Sequence, residues 1–205
     1  VELYRRNKWF SSGILFWMLN DCWPAANSWS RIDYYGVAKP AFYAFKRCAK
    51  PVIASIAEQD GKLTVTVSND SLSPVSGKGK LALYDFGEEK DYLSTEFSYT
   101  VPANGAATVL SLDYKPFADR FTRTRLPLCD IENDDGTTDR AFMIPSRYAD
   151  LDLAYRPLRV IEETPDSVTV QADAFSPFAL LDSPELLSDN AICMKRGEIR
   201  VLKRL

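Results

Sequence analysis

Histidine is absent from all 205 residues. That removes Ser-His and Cys-His nucleophile pairs and every histidine-ligated metal site. The four cysteines, Cys22, Cys48, Cys129 and Cys193, are far apart and show no C-x-x-C spacing, so isolated buried thiols are expected and no metal or cofactor is. No apolar run approaches the roughly 20 residues of a membrane-spanning helix. Lys and Arg are scattered, the formal net charge is −3, and no basic run interleaves with aromatics, which excludes a nucleic-acid surface. The opening Val-Glu-Leu-Tyr-Arg-Arg has neither an initiator Met nor a signal-peptide apolar core, and reads as a piece of a longer polypeptide.

What is present is concentrated near the start. Ile14 to Leu19 is a continuous apolar run, the pattern of a strand covered on both faces in a parallel sheet. Asn20, Asp21, Trp23, Asn27, Ser28 and Trp29 follow at once, with Pro24 preventing the strand from continuing. Aromatic faces beside carboxylates and amides suit a sugar, because rings stack on C–H faces while polar groups fix hydroxyls. The same residues would equally serve a buried strand whose tryptophans fill core and whose Asp caps a turn.

Around this run, Glu2 to Lys8 reads as a helix end with basic residues favourable to its dipole. Pro40 to Lys50 reads as a second helix, with Phe42, Phe45 and Ala49 on one face and Pro40 in the first turn. Helix end, buried strand, loop and helix form one unit of an α/β fold, and the strand's sheet neighbours are expected outside this chain.

From Pro51 onward the texture is β. Val52–Ala57, Lys62–Ser68, Lys80–Phe86, Leu93–Val101 and Ala106–Leu112 are expected strands, with Asp60-Gly61 as a turn and Asn104-Gly105 as a hairpin signal. A second β set is expected over Arg120–Leu128, Arg140–Ile144, Leu158–Glu162, Ser167–Ala172, Phe178–Leu181 and Glu198–Leu202. The acidic Glu132–Gly136 stretch lacks calcium-loop spacing and reads as a solvated turn. The expected domains are 1–50, a sandwich over 51–115 and a second sandwich over 116–205.

Gly13-Ile-Leu-Phe-Trp17-Met-Leu-Asn20-Asp21-Cys-Trp23-Pro24, then Ser28-Trp29-Ser, Ile32-Asp33-Tyr34-Tyr35-Gly36 and Lys39-Pro40-Ala-Phe-Tyr43, resembles the end of the catalytic barrel in β-mannosidase-like enzymes of glycoside hydrolase family 2. Val67-Ser-Asn-Asp70, Tyr84-Asp-Phe-Gly87, Ser188-Asp189-Asn190 and Gly197-Glu198 fit that family's C-terminal sandwiches. The resemblance implies a mainly β chain: two immunoglobulin-like β-sandwich domains preceded by the last strand and helix of a (β/α)8 barrel.

By that resemblance Trp17 ends the eighth strand as a platform beneath the sugar, and Trp17-Met18 is a cis peptide. Met18 stands where the family often has Gln. Asn20, Asp21 and Trp23 would lie in or beside the pocket, while Ser28 and Trp29 would support the loop. The family's two catalytic glutamates would precede Val1, and Glu2 lies at the wrong place for either role. No catalytic residue is assigned, and this chain alone is expected to be inactive.

The implied substrates are β-linked mannosides or related oligosaccharides, and the implied partner is the upstream barrel of a parent that releases terminal β-D-mannose. An exo-β-glucosaminidase or β-galactosidase type is the alternative specificity. A non-catalytic sandwich is the alternative class, in which Tyr92, Tyr99 and Tyr148 would form a glycan platform on one sheet face.

Overall fold

A computed structural model describes the whole chain, residues 1–205. The chain is mainly β and divides into two compact units, residues 1–13 with 50–152 and residues 14–49 with 153–205.

The first unit holds α1 (Glu2–Arg6) and seven strands: β1 (Val52–Gln59), β2 (Lys62–Asn69), β3 (Val75–Asp85), β4 (Lys90–Val101), β5 (Gly105–Asp113), β6 (Arg125–Asn133) and β7 (Thr138–Phe142). They form two antiparallel sheets, ordered β1-β2-β5 and β4-β3-β6-β7. The alternation read in Lys62–Ser68 puts Leu63, Val65 and Val67 on one face, all fully buried. Across the core they meet Leu81 and Leu83 of β3, Val101 of β4, and Cys129 and Ile131 of β6. Asp60 (φ 52°) and Gly61 (φ 73°) make the expected tight turn between β1 and β2.

Three expectations change here. Asn104-Gly105 does not close a hairpin: β4 pairs with β3 and β5 pairs with β2, so this turn carries the chain from one sheet to the other. The division expected at 115/116 falls inside the sandwich, because β6 pairs with β3 from Gly77↔Asn133 to Asp85↔Arg125 and so completes the sheet that β3 and β4 begin. The first residues join this unit as well. Arg5 donates to the carbonyls of Lys50 (2.6 Å) and Pro51 (2.9 Å), and Lys8 donates to the Asn69 carbonyl (3.2 Å) and Asn104 Oδ1 (3.1 Å). Those cationic ties strap α1 to the sandwich.

The second unit contains α2 (Pro40–Cys48), β8 (Arg159–Glu163), β9 (Ser167–Gln171), β10 (Ser176–Ala179), β11 (Ile192–Met194) and β12 (Ile199–Lys203). Its sheets are ordered β12-β9-β8 and β10-β11. The helix starts at Pro40 as expected, since a first-turn proline gives up no helical hydrogen bond.

The helix's deepest residue is Tyr43 rather than Phe42 or Phe45. It packs among Val168, Val170, Leu187, Met194 and Leu202, so the core of this unit is shared between residues near 43 and residues 168–202. That shared core replaces the expected separate domain over 1–50. The three-residue β11 lies where the sequence offers no periodicity to read.

Candidate functional site

The residues that the resemblance singles out for the pocket and its loop all lie in the segment 14–39 of the second unit. Ile14 to Leu19 forms no strand, contrary to expectation. A parallel strand is held by ladder bonds to its neighbours, and here the only backbone bonds of the run are at its end, where the Leu19 carbonyl accepts the amides of Arg31 (2.9 Å) and Ile32 (3.0 Å). The run is therefore displayed rather than buried: Leu15 is 99% and Trp17 81% exposed. Phe16 turns back, meeting Phe45 edge-on at 4.8 Å, with the Arg31 guanidinium 3.7 Å above its ring. The peptide Trp17-Met18 is cis, as the resemblance implies.

Beyond Leu19 the chain makes a loop that returns to itself. The Asp21 amide donates to the Ile32 carbonyl (3.0 Å) and the Lys39 amide to the Arg31 carbonyl (2.8 Å). A second turn is built on Asp33, whose Oδ1 accepts the amides of Tyr35 and Val37, each at 2.8 Å. Tyr34 and Tyr35 project from it, exposed and edge-on to each other at 5.4 Å.

The Asp21 carboxylate turns inward. It is 4% exposed, with Oδ2 held by the Lys39 ammonium at 2.7 Å and Oδ1 accepting the Ser28 hydroxyl at 2.5 Å. The hydrogen bond from Lys39, with help from Ser28 and Ser30, outweighs the opposing effect of burial and lowers the Asp21 carboxyl from its ordinary 3.8 to about 2. Asp21 is thus charged at any physiological pH and fully engaged.

Asn20 is exposed and donates from Nδ2 to the Asp21 carbonyl at 3.2 Å. Trp23 is 74% exposed, and so is Trp29, which was expected to support the loop. Ser28 does take that supporting part. Sequence reasoning missed Lys39 and Ser30; the available signal was a lysine directly before the helix-starting Pro40.

The arrangement presents indole faces and one amide to solvent. It offers no paired free carboxylates, because Asp21 and Asp33 are both taken up in holding the loop. It can bind and orient a ligand with apolar faces and polar edges, such as a sugar ring.

The remaining features are structural. Tyr99 is buried and donates to Asn133 Oδ1 at 2.7 Å, and the Tyr92 ring is covered by the Arg125 guanidinium at 3.8 Å, so the suggested platform with Tyr148 does not form. Cys129 and Cys193 are buried and Cys48 is half-buried, none of them in a disulfide, but Cys22 is exposed, in the displayed loop. In the first unit, a cleft of about 860 Å³ between residues 71–76 and 133–138 contains none of the sequence-predicted site residues.

Residues 61–144 match the family described as the Mannosidase Ig/CBM-like domain. β-Mannosidase B of Aspergillus niger is 26% identical over 215 aligned positions, covering 93% of this chain and 25% of the relative. β-Mannosidase B of Aspergillus flavus is 44% identical over 54 residues, covering 26% of this chain and 6% of the relative. The crystal structure of β-D-mannosidase from Dictyoglomus thermophilum superimposes with a TM-score of 0.77 at 27% identity, over 99% of this chain and 25% of that one. An exo-chitosanase from Amycolatopsis orientalis shares the fold, with a TM-score of 0.64 at 20% identity over 95% of this chain and 28% of that one. The chain thus spans about a quarter of the length of the relatives it matches end to end.

Proposed function

Because this chain corresponds to the C-terminal part of a β-mannosidase-like enzyme of glycoside hydrolase family 2, we propose that it supplies one wall of the sugar pocket of a retaining exo-β-mannosidase. In this reading Trp17 and Trp23 give apolar faces to a terminal β-linked mannose and Asn20 meets a hydroxyl. Asp21 acts from behind, by holding the loop. The acid/base and nucleophile belong to residues outside this chain, since retaining hydrolysis needs two free carboxyl groups about 5–5.5 Å apart. The β-sheets of the two units are accessory.

The observation that supports this most directly is the likeness of 99% of this chain to the β-D-mannosidase of Dictyoglomus thermophilum, with Trp17, Asn20 and Trp23 on a segment whose own carboxylate is turned inward. Large apolar rings left open beside polar groups mark a binding surface.

The experiment is hydrolysis of a panel of aryl β-glycosides by the longer protein that contains this chain, with the 205-residue chain assayed alongside. Preference for the β-mannoside by the longer protein and silence of the chain are expected. Preference for a β-glucosaminide or β-galactoside would replace the sugar and keep the mechanism. Inactivity of the longer protein on every glycoside would move the function to binding alone.

A further inference from the structure

We infer that Lys39 is a positioning residue, whose ammonium closes the loop between Asn20 and Arg31 and so fixes the directions of Trp23 and Trp29. The inference rests on the reading of this loop as sugar-facing only for its consequence on kinetics.

The loop has almost nothing else to hold it. Residues 22–29 make no backbone-to-backbone hydrogen bond, and Pro24 has no amide to give. Such a segment would sample many conformations, and two indoles carried on it would meet a ligand only after losing that freedom. Its ends are tied at the backbone by Leu19, Asp21, Arg31 and Ile32. Between those ends the order comes from side chains.

Three of these side-chain ties converge on one nitrogen. Lys39 Nζ donates to Asp21 Oδ2 at 2.7 Å, Ser28 Oγ at 2.8 Å and Ser30 Oγ at 2.7 Å. An ammonium has three protons, so the three acceptors use its whole donor capacity. The acceptors reinforce one another: Ser28 Oγ donates to Asp21 Oδ1 at 2.5 Å, and Ser30 Oγ donates to the Ile32 carbonyl at 3.0 Å. Trp29 stands between the two serines and Trp23 lies two residues after Asp21, so the clamp brackets the stretch that carries both rings.

Lys39 is itself fixed. It is the residue preceding α2, in extended conformation, and its amide is bonded to the Arg31 carbonyl at 2.8 Å. The helix behind it is anchored in the core of the same unit through Tyr43. The clamp is therefore built on a rigid element rather than on another loop, the condition for holding a binding group in place.

The test is 19F NMR of the 205-residue chain labelled with 5-fluorotryptophan, which carries four reporters: Trp9, Trp17, Trp23 and Trp29. Lys39→Met should move the Trp23 and Trp29 resonances toward the free-label position and leave Trp9 unchanged. Lys39→Arg, which keeps the charge but not the three-point geometry, should restore them in part. Unmoved Trp23 and Trp29 signals in a folded Lys39→Met chain overturn the inference. Should that variant not fold, Ser28→Ala removes one leg only; it must displace Trp29, and an unmoved Trp29 overturns the inference equally.

The second readout uses the longer enzyme and an aryl β-mannoside. Lys39→Met should raise KM by on the order of tenfold with kcat changed much less, the mark of a lost binding contact rather than a lost chemical step. Displaced resonances with an unaltered KM would leave the clamp standing and overturn the sugar-facing reading of the loop.

Discussion

The Arg47 guanidinium donates to the Asp189 carboxylate at 2.5 Å and to the carbonyls of Asn190 (2.7 Å) and Ala191 (2.8 Å). One side chain at the end of α2 thus collects a carboxylate and two carbonyls from a single turn, 142 to 144 residues away in sequence. A planar fork of donors suits this, and a lysine would not reproduce it. The turn is further organised by Asn190, which bonds the Leu181 amide and carbonyl, and by Ala191 at φ 50°.

Arg47→Met should accordingly destabilise the second unit by about 2–4 kcal/mol, because it leaves two carbonyls and a half-buried carboxylate without their donor. Urea unfolding followed at Trp17, Trp23 and Trp29, all in that unit, is the measurement. A loss under about 0.5 kcal/mol would show that water satisfies the turn as well as Arg47 does.

In the first unit, Gly77 lies where β4 and β6 converge on β3. A Cβ there would meet the Glu132 carbonyl and stand 2.6 Å from the Tyr99 hydroxyl. The carbonyl is backbone in a paired strand, and the hydroxyl is bonded to Asn133, so neither can move freely. Gly77→Ala should cost about 1–3 kcal/mol by overpacking. Thermal melting checks it. Gly61→Ala should also destabilise, but through the left-handed backbone (φ 73°) and not through contact, since nothing lies within 4 Å of its Cβ position.

Asp139 of β7 accepts the Ala54 amide at 3.0 Å and pairs with Lys50 at 3.1 Å. Burial pushes its carboxyl above the ordinary 3.8, and the attraction of Lys50 offsets this only in part. A raised folded-state value means that the folded chain binds the proton more tightly than the unfolded chain does. This group's contribution to stability therefore grows as pH falls from neutral through the raised value, and is flat again below 3.8. Melting temperatures of the native chain and of Asp139→Asn, compared from pH 7 downward, should shift in favour of the native chain. A difference independent of pH would remove the assigned cause.

Much of this was open to reading in the chain itself, and the reasons for the exceptions are physical. Lys62–Ser68 alternates and begins at a positive-φ turn, so its strand, face and boundary were all legible. The helix at Pro40 was legible from its first-turn proline and basic end, yet Tyr43 was not marked as its buried residue, because its partners lie in 168–202 and periodicity carries no information about them. Ile14 to Leu19 has the composition of a buried strand, but composition does not supply the neighbours that would bury it. Asn104-Gly105 has the local form of a hairpin turn, whereas sheet membership is decided by pairing with β2 and β3. Trp23 and Trp29 stand out by their crowding among polar residues, whereas Trp17 is singled out only by the family resemblance. Lys39 was not given a role, because an ion pair closing 18 residues leaves no local pattern.

That ion pair also has an acid signature, opposite in sign to that of Asp139. Lys39 first, then Ser28 and Ser30, hold the Asp21 carboxyl at about 2, below its ordinary 3.8. A lowered folded-state value means that the unfolded chain binds the proton first as pH falls. The contribution of Asp21 to stability is therefore complete above pH 3.8, declines between 3.8 and about 2, and is gone below that. Asp21→Asn removes the titration while keeping an oxygen able to accept from Lys39. The native chain should melt higher than this variant at neutral pH, and the gap should close on titration to pH 2. Labelled Trp23 and Trp29 should report the folded-state titration in the native chain, with their signals moving around pH 2 and staying fixed in Asp21→Asn. A gap that persists unchanged to pH 2 would mean that Asp21 holds the loop by shape alone, and that the charge on Lys39 contributes nothing to closing it.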